Sequence, residues 1–184
     1  MYIYFVRHGQ TDDNMNNIVQ GRKDNILNEN GRNQAEVVGN KLKELNIPFD
    51  KIYSSPLKRA VESATIINNI LKIGDLEIHP DLTEREFGNL EGLDVSYMRW
   101  LVQNPNFKPE NFETDEQIIN RVHNCVKEII KTGENILIVC HSHTIKAMLT
   151  YINKEKYGFD FPLLNAQVVK IKCHDDKYKI EEII

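Results

Sequence analysis

The chain has 184 residues, of which 41% are hydrophobic and 27% charged, and a formal net charge of -4. That length suits one domain, spanning residues 1–184, with a substantial core. The mild acidity excludes a nucleic-acid binder held by bulk charge, and no apolar run approaches the roughly 20 residues of a membrane span. Cys125, Cys140 and Cys173 are scattered, with no CxxC pair. The apolar start lacks a basic region and a cleavage site, so the expectation is a reduced, cytoplasmic protein with no membrane or nucleic-acid partner.

Residues 2–6 are aromatic and aliphatic and read as a buried strand. Gly9 to Asn28 is rich in Asn, Asp and Gly and reads as a long loop, a feature that is usually functional in a compact domain. Asn28 is an N-cap candidate, and Ala35, Val38, Leu42 and Leu45 recur at helical spacing until Pro48. Lys51–Ser54 predicts a strand. Pro56 opens a helix to about Leu71, with Ala60, Ala64, Ile67 and Leu71 on one face, and Leu76–Ile78 is a third short strand. A loop runs through Gly92, and residues 93–113 read as an irregular cover with one short helix. Thr114 to Gln117 has the capping-box form and starts a helix that Gly133 ends. Ile136–Cys140 is the clearest buried strand, followed by a helix from about Thr144 to Ile152. Segments 167–172 and 178–183 predict a hairpin turning at Asp175-Asp176.

This alternation predicts an α/β domain with a mostly parallel sheet and helices on both faces. Ligands of such sheets bind beyond the C-terminal strand ends. Those ends bring Arg7, His8 and His141, with Arg59 just past the second strand, to one rim.

That set suits phosphoryl transfer. A neutral imidazole is a covalent nucleophile, and neighbouring cations disfavour its protonation. Arginine forks clamp phosphate oxygens and hold developing charge. The leaving alkoxide needs a proton, which Glu84, Glu86 or Glu91 can supply.

The motifs are similar to those of the histidine phosphatase superfamily, in its phosphoglycerate-mutase-like branch. Arg7-His8-Gly9-Gln10-Thr11 resembles the RHG(Q/E)T signature, with Asn14 at the phosphate-contacting asparagine. Ser54 to Ala60 resembles the segment carrying a second phosphate arginine, Arg59. Leu82 to Gly92 resembles the glutamate block, with Glu84 at the proton donor, and Val139-Cys140-His141 the strand end carrying a second histidine. Gly21, Asp24, Leu27, Gly31 and Gln34-Ala35 fit the loop-to-helix pattern. The resemblance implies a three-layer α/β/α sandwich, no metal and no cofactor, a small-molecule phosphate ester as partner, and a phosphohistidine on His8. It puts phosphate on Arg7, Asn14, Gly21, Arg59, His141 and Ser142, and makes His8, Glu84, Arg7, Arg59 and His141 the catalytic set.

Three departures stand out. Ser142 and His143 replace two glycines, and Ser63-Ala64 stands where threonine is usual. The interval from Glu84 to Arg121 lacks the insertion that covers a bisphosphate in the mutases, which favours hydrolysis. Glu84-Arg85 followed by Phe87-Gly88 nevertheless resembles the mutases, so a cofactor-dependent phosphoglycerate mutase is the alternative, and an inactive phospholigand-binding module the alternative of another class. Tyr97, Trp100, Phe107 and Phe112 either line the substrate mouth or pack a lid, and Glu113 either meets substrate or belongs to the helix cap. His143 is expected at the pocket rim, whereas His79, His123 and His174 are expected to have no site role. An acidic-to-neutral activity optimum is expected for a neutral His8 working with a protonated Glu84.

Overall fold

A computed structural model describes residues 1–132, 135–174 and 177–184. Gly133, read as a helix end, and Asp175-Asp176, read as a turn, lie outside the described residues. The apolar run at the start forms β1 (Tyr2–Arg7), and Ile136–Cys140 forms β4. The two pair in parallel, Arg7 opposite Cys140. β2 (Lys51–Ser54) lies in parallel on the other side of β4, and β3 (Leu76–Ile78) in parallel beyond it. The chain then returns as β5 (Val168–His174) and β6 (Lys177–Ile183), both antiparallel, giving the order β3-β2-β4-β1-β5-β6. The expected terminal hairpin is thus the antiparallel edge of an otherwise parallel sheet.

The strands bury both faces. Tyr4, Val6, Ile52, Leu137, Val139 and Val168 pack with Ala35, Val38 and Leu42 of α2 (Glu29–Glu44) and Ala64 and Ile67 of α3 (Lys58–Leu71). The alternate residues Ile3, Phe5, Ile136, Ile138, Cys140 and Ile171 face Ile118, Val122 and Ile129 of α5 (Asp115–Ile129) and Ile145 and Met148 of α6 (Ser142–Ile152). Strand periodicity sends consecutive side chains to opposite faces, so a strand apolar throughout must be covered twice. The expected three-layer α/β/α sandwich follows.

Several boundaries were legible from caps. Asn28 accepts from the Gly31 amide at 2.8 Å, and Thr114 and Gln117 close the capping box of α5. Other boundaries move. The helix expected from Pro56 starts at Lys58, with Leu57 as an uncapped N-cap. The long loop contains a short helix, α1 (Asp12–Met15), capped by Thr11. The helix expected from Thr144 begins at Ser142, because His141 is still extended (φ -125, ψ 169) and the turn begins directly after it. In the cover, α4 (Val95–Val102) is the expected short helix. Its Met98 and Leu101 pack with Phe107 and Phe112 on Val19, Phe87 and Leu90.

Candidate active site

The parallel pairing puts the C-terminal ends of β1, β2 and β4 on one edge. At that edge opens a cleft of about 1050 Å³, lined among others by Arg7, His8, Asn14, Gly21, Arg59, Glu84 and Ser142. Of the expected site residues, His141 is fully buried and does not line the cleft; it stands behind His8, ring centroids 5.1 Å apart.

His8 is held in one tautomer. Its Nδ1 lies 2.7 Å from the Gly9 carbonyl oxygen, which only accepts, so Nδ1 carries the proton. Nε2 then accepts from Arg59 Nε at 3.2 Å and bears the lone pair. Burial, then Arg59 and Arg7, drives the imidazole well below its ordinary value of 6.5, so the ring is neutral. The same causes, burial foremost, hold His141 well below 6.5. His141 Nε2 meets Ser55 Oγ at 2.7 Å, while its Nδ1 is buried with no partner among the described residues.

Arg59 is 1% exposed. Its Nη1 and Nη2 donate to the carbonyls of Lys23 and Gly21, each at 2.7 Å. With Nε on His8 it ties the long loop to the imidazole, and two of its five N–H donors remain. Gly21 is left-handed (φ +52), a conformation that favours glycine, and a Cβ there would come 2.0 Å from Glu91 Oε1, so the Glu91 side chain would have to shift. Arg7 donates from Nη1 to the Leu163 carbonyl at 2.5 Å, and its buried Nε has no partner among the described residues. Burial lowers its pKa to about 10, which leaves it charged at neutral pH.

Glu84 is 8% exposed. Its carboxylate accepts from the amides of Arg85 (2.9 Å) and His143 (3.1 and 3.3 Å). The His143 amide, in the first turn of α6, therefore holds the glutamate. Glu86 and Glu91 are tied elsewhere. Glu86 pairs with Arg22 at 2.9 Å, and Glu91 accepts the Arg22 amide at 2.9 Å. Glu113 grips Arg121 at 2.7 and 2.8 Å and is not among the lining residues, so it belongs to the scaffold.

The two histidines of His141-Ser142-His143 diverge. His143 lines the cleft with its ring between Phe87 (5.1 Å) and Phe159 (5.2 Å). Phe107 and Phe112 line the cleft as well, while Tyr97 and Trp100 stack on each other outside it, 50% and 64% exposed.

Four residues that the motifs did not single out as site residues support it. Asn165 Nδ2 donates to the His8 carbonyl and to Asn14 Oδ1, both at 3.1 Å. Ser63 Oγ accepts the Gly9 amide at 3.0 Å, which a hydroxyl of either serine or threonine can do. Arg85, 4% exposed, stacks on Phe159 at 4.0 Å and pairs with Asp115 at 2.6 Å. Lys146 reaches the cleft from α6. Arg85 stands inside the Leu82 to Gly92 block and Ser63 at the departure just past the Ser54 to Ala60 segment, whereas Asn165 and Lys146 carry no local signal because only the fold brings them here.

Comparison with known proteins agrees. The chain is 33% identical over 183 residues to a protein named uncharacterized phosphatase PhoE of Bacillus subtilis (strain 168), covering 98% of this chain and 92% of that one. It is 30% identical over 191 residues to the metal-independent phosphoserine phosphatase of Arabidopsis thaliana, covering 97% and 79%. The crystal structure of phosphoglycerate mutase from Bacillus anthracis str. Sterne superposes with a TM-score of 0.85 at 26% identity, covering 98% and 91%. The family profile matches residues 3–184, and the chain belongs to the histidine phosphatase superfamily, branch 1.

Proposed function

We propose that this protein is a metal-independent phosphomonoesterase that works through a phosphohistidine on His8. The observation that carries this reading is the neutral His8, its lone pair on Nε2 beside Arg59, at a cleft that Arg7 and Glu84 also line. His8 Nε2 forms a bond to phosphorus as the bond from phosphorus to the ester oxygen breaks. Arg7 and Arg59 hold the phosphoryl oxygens, and positioning with electrostatics supplies most of the catalysis. Glu84 gives its proton to the departing alkoxide. Water then attacks the phosphohistidine, Glu84 takes back a proton, and inorganic phosphate and neutral His8 remain. His141 backs the His8 ring from within the protein, ring centroids 5.1 Å apart, without reaching the cleft, and Asn14 and Ser142 add polar groups at the rim.

The phosphatase names among the relatives support hydrolysis, and the likeness to a phosphoglycerate mutase keeps the mutase as the second reading. The test is phosphate release from p-nitrophenyl phosphate and a panel of metabolite phosphates in EDTA, with wild type beside His8→Ala. Release by wild type and none by the variant is expected. No release from any ester, with isomerisation of 3-phosphoglycerate in the presence of a bisphosphate primer, moves the assignment to the mutase.

A further inference from the structure

Lys146 is a lysine only 7% exposed, yet it lines the cleft. Its Nζ donates to one neutral acceptor, the Phe159 carbonyl at 3.0 Å. Among the described residues, no carboxylate lies within ion-pair distance of it. Buried cations are normally paired, and each of the other buried cations of the cleft has its task. Arg85 has Asp115, Arg59 holds His8 and two loop carbonyls and keeps its two remaining donors for the phosphoryl group, and Arg7 stands beside His8.

Position adds to this. Lys146 follows Ser142 by four residues on α6, one turn further along the same helix face, about 6 Å along its axis. Both residues line the same cleft, so Lys146 offers its charge about one helical turn from the residue that begins α6. The charged groups around the ammonium are Arg7 and Arg99, which repel it, and Glu84 and Asp160, which favour it. Arg99 reaches the same cleft from α4, and Asp160 comes from the loop after α6.

We propose that Lys146 is the specificity residue of this cleft and binds a second anionic group, a carboxylate, on the leaving-group side of the phosphate monoester. This rests on the phosphomonoesterase reading of the same site. One ammonium set among two cations and two carboxylates matches a monoanion better than a second phosphate dianion. Burial lowers the ammonium to about 8, so it is charged at neutral pH and loses its charge within the range where the protein can be assayed.

The test compares esters that differ only in the second group, 3-phosphoglycerate and glycerol 3-phosphate, with 1,3-propanediol bisphosphate, which has no carboxylate, as the second-phosphate arm. Binding is measured by calorimetry in His8→Ala, with and without Lys146→Met, so it reads out even if no ester turns over. The expected result is about tenfold or tighter binding of 3-phosphoglycerate than of glycerol 3-phosphate at pH 7, the scale of one charge-assisted hydrogen bond. That ratio falls toward one with Lys146→Met, is kept by Lys146→Arg, and declines above pH 8. Equal binding of the two esters, or an unchanged ratio in Lys146→Met, overturns the proposal. Equal weakening of both esters makes Lys146 merely structural and overturns it too. Tighter binding of the bisphosphate, dependent on Lys146, overturns the choice of carboxylate. Lys146→Gln is the second variant should Lys146→Met not fold. Failure of the phosphomonoesterase reading appears separately, as no phosphate release from any ester or as p-nitrophenyl phosphate hydrolysis that does not depend on His8.

Discussion

Arg59 Nε donates to His8 Nε2 at 3.2 Å, so the guanidinium holds the nitrogen that carries the lone pair. The same guanidinium fastens the loop at Gly21 and Lys23. Lysine cannot reproduce this planar set of donors. Arg59→Lys is expected to keep the charge and lose the geometry, lowering kcat/KM by about 100- to 1000-fold, the scale seen when one transition-state donor is removed. Steady-state kinetics on p-nitrophenyl phosphate checks it, and a loss under tenfold would show that charge alone suffices.

His8, His141 and His143 all have values driven well below 6.5 in the fold, by burial first and neighbouring cations second. Unfolded, each returns to about 6.5. The unfolded chain therefore takes up more protons as the pH drops through that value. The stability these groups contribute is full above pH 6.5 and is lost as pH falls toward their folded values, at up to about 1.4 kcal/mol per pH unit for each. Denaturant unfolding between pH 7 and 5 should show this slope, reduced by about one third in His143→Phe, which keeps a ring between Phe87 and Phe159. An identical slope in the variant would contradict it. Activity responds differently: with His8 still neutral below pH 6.5, turnover should persist into the acidic range as long as the fold holds.

The gathering of His8 with Arg7 and Arg59 was legible because each sits at a strand end or in a motif a few residues long. Arg7-His8 closes β1, and Arg59 opens α3. The alternation of helix and strand signals carried the sandwich, since apolar strands such as Ile136–Cys140 demand cover on both faces. What the sequence hid was assembled across distance. Asn165 lies 157 positions from the His8 carbonyl it supports, and Lys146 reads locally as an ordinary helical lysine. The placement of the His143 amide on Glu84 was hidden too, because a helix start two residues earlier than expected turns that amide toward the glutamate.

Gly21 ties loop conformation to the site. Its φ of +52 disfavours a side chain, and a Cβ would press on Glu91 Oε1, which accepts the Arg22 amide. Gly21→Ala is expected to cost about 1–2 kcal/mol of stability through the left-handed backbone. It should also lower kcat/KM, because the displaced Gly21 carbonyl is a partner of Arg59 Nη2. Thermal unfolding and kinetics on one preparation test both parts. A variant as stable and as active as wild type would show that the loop relaxes without moving Arg59.

Arg121 links α5 to the turn that presents Glu84. Its fork meets Glu113 at 2.7 and 2.8 Å, and its Nη1 donates to the carbonyls of Asp81 (2.7 Å) and Thr83 (3.1 Å). Thr144 Oγ1 donates to the same Thr83 carbonyl at 2.8 Å, so α6 and α5 grip the residue just before Glu84 from two sides. Both side chains of the pair are mostly buried, 15% and 9% exposed. Removing one partner of a buried pair typically costs about 3–5 kcal/mol, whereas removing both leaves less behind; without Arg121, Glu113 keeps only the longer contacts to Arg22 at 3.8 Å and the Glu86 amide at 3.3 Å among the described residues. Arg121→Met should therefore destabilise the protein by about 3 kcal/mol, and Arg121→Met with Glu113→Gln by less than the sum of the two single changes. The carbonyl anchors do not return with Glu113→Gln, so the double variant should recover stability yet keep a lowered kcat, the parameter most sensitive to where Glu84 sits. A double-mutant cycle read by denaturant unfolding, with kcat on each variant, separates the two effects. Strict additivity of the stabilities would dissolve the ion pair as a coupled unit, and a wild-type kcat in the double variant would show that Thr144 alone positions the Glu84 turn.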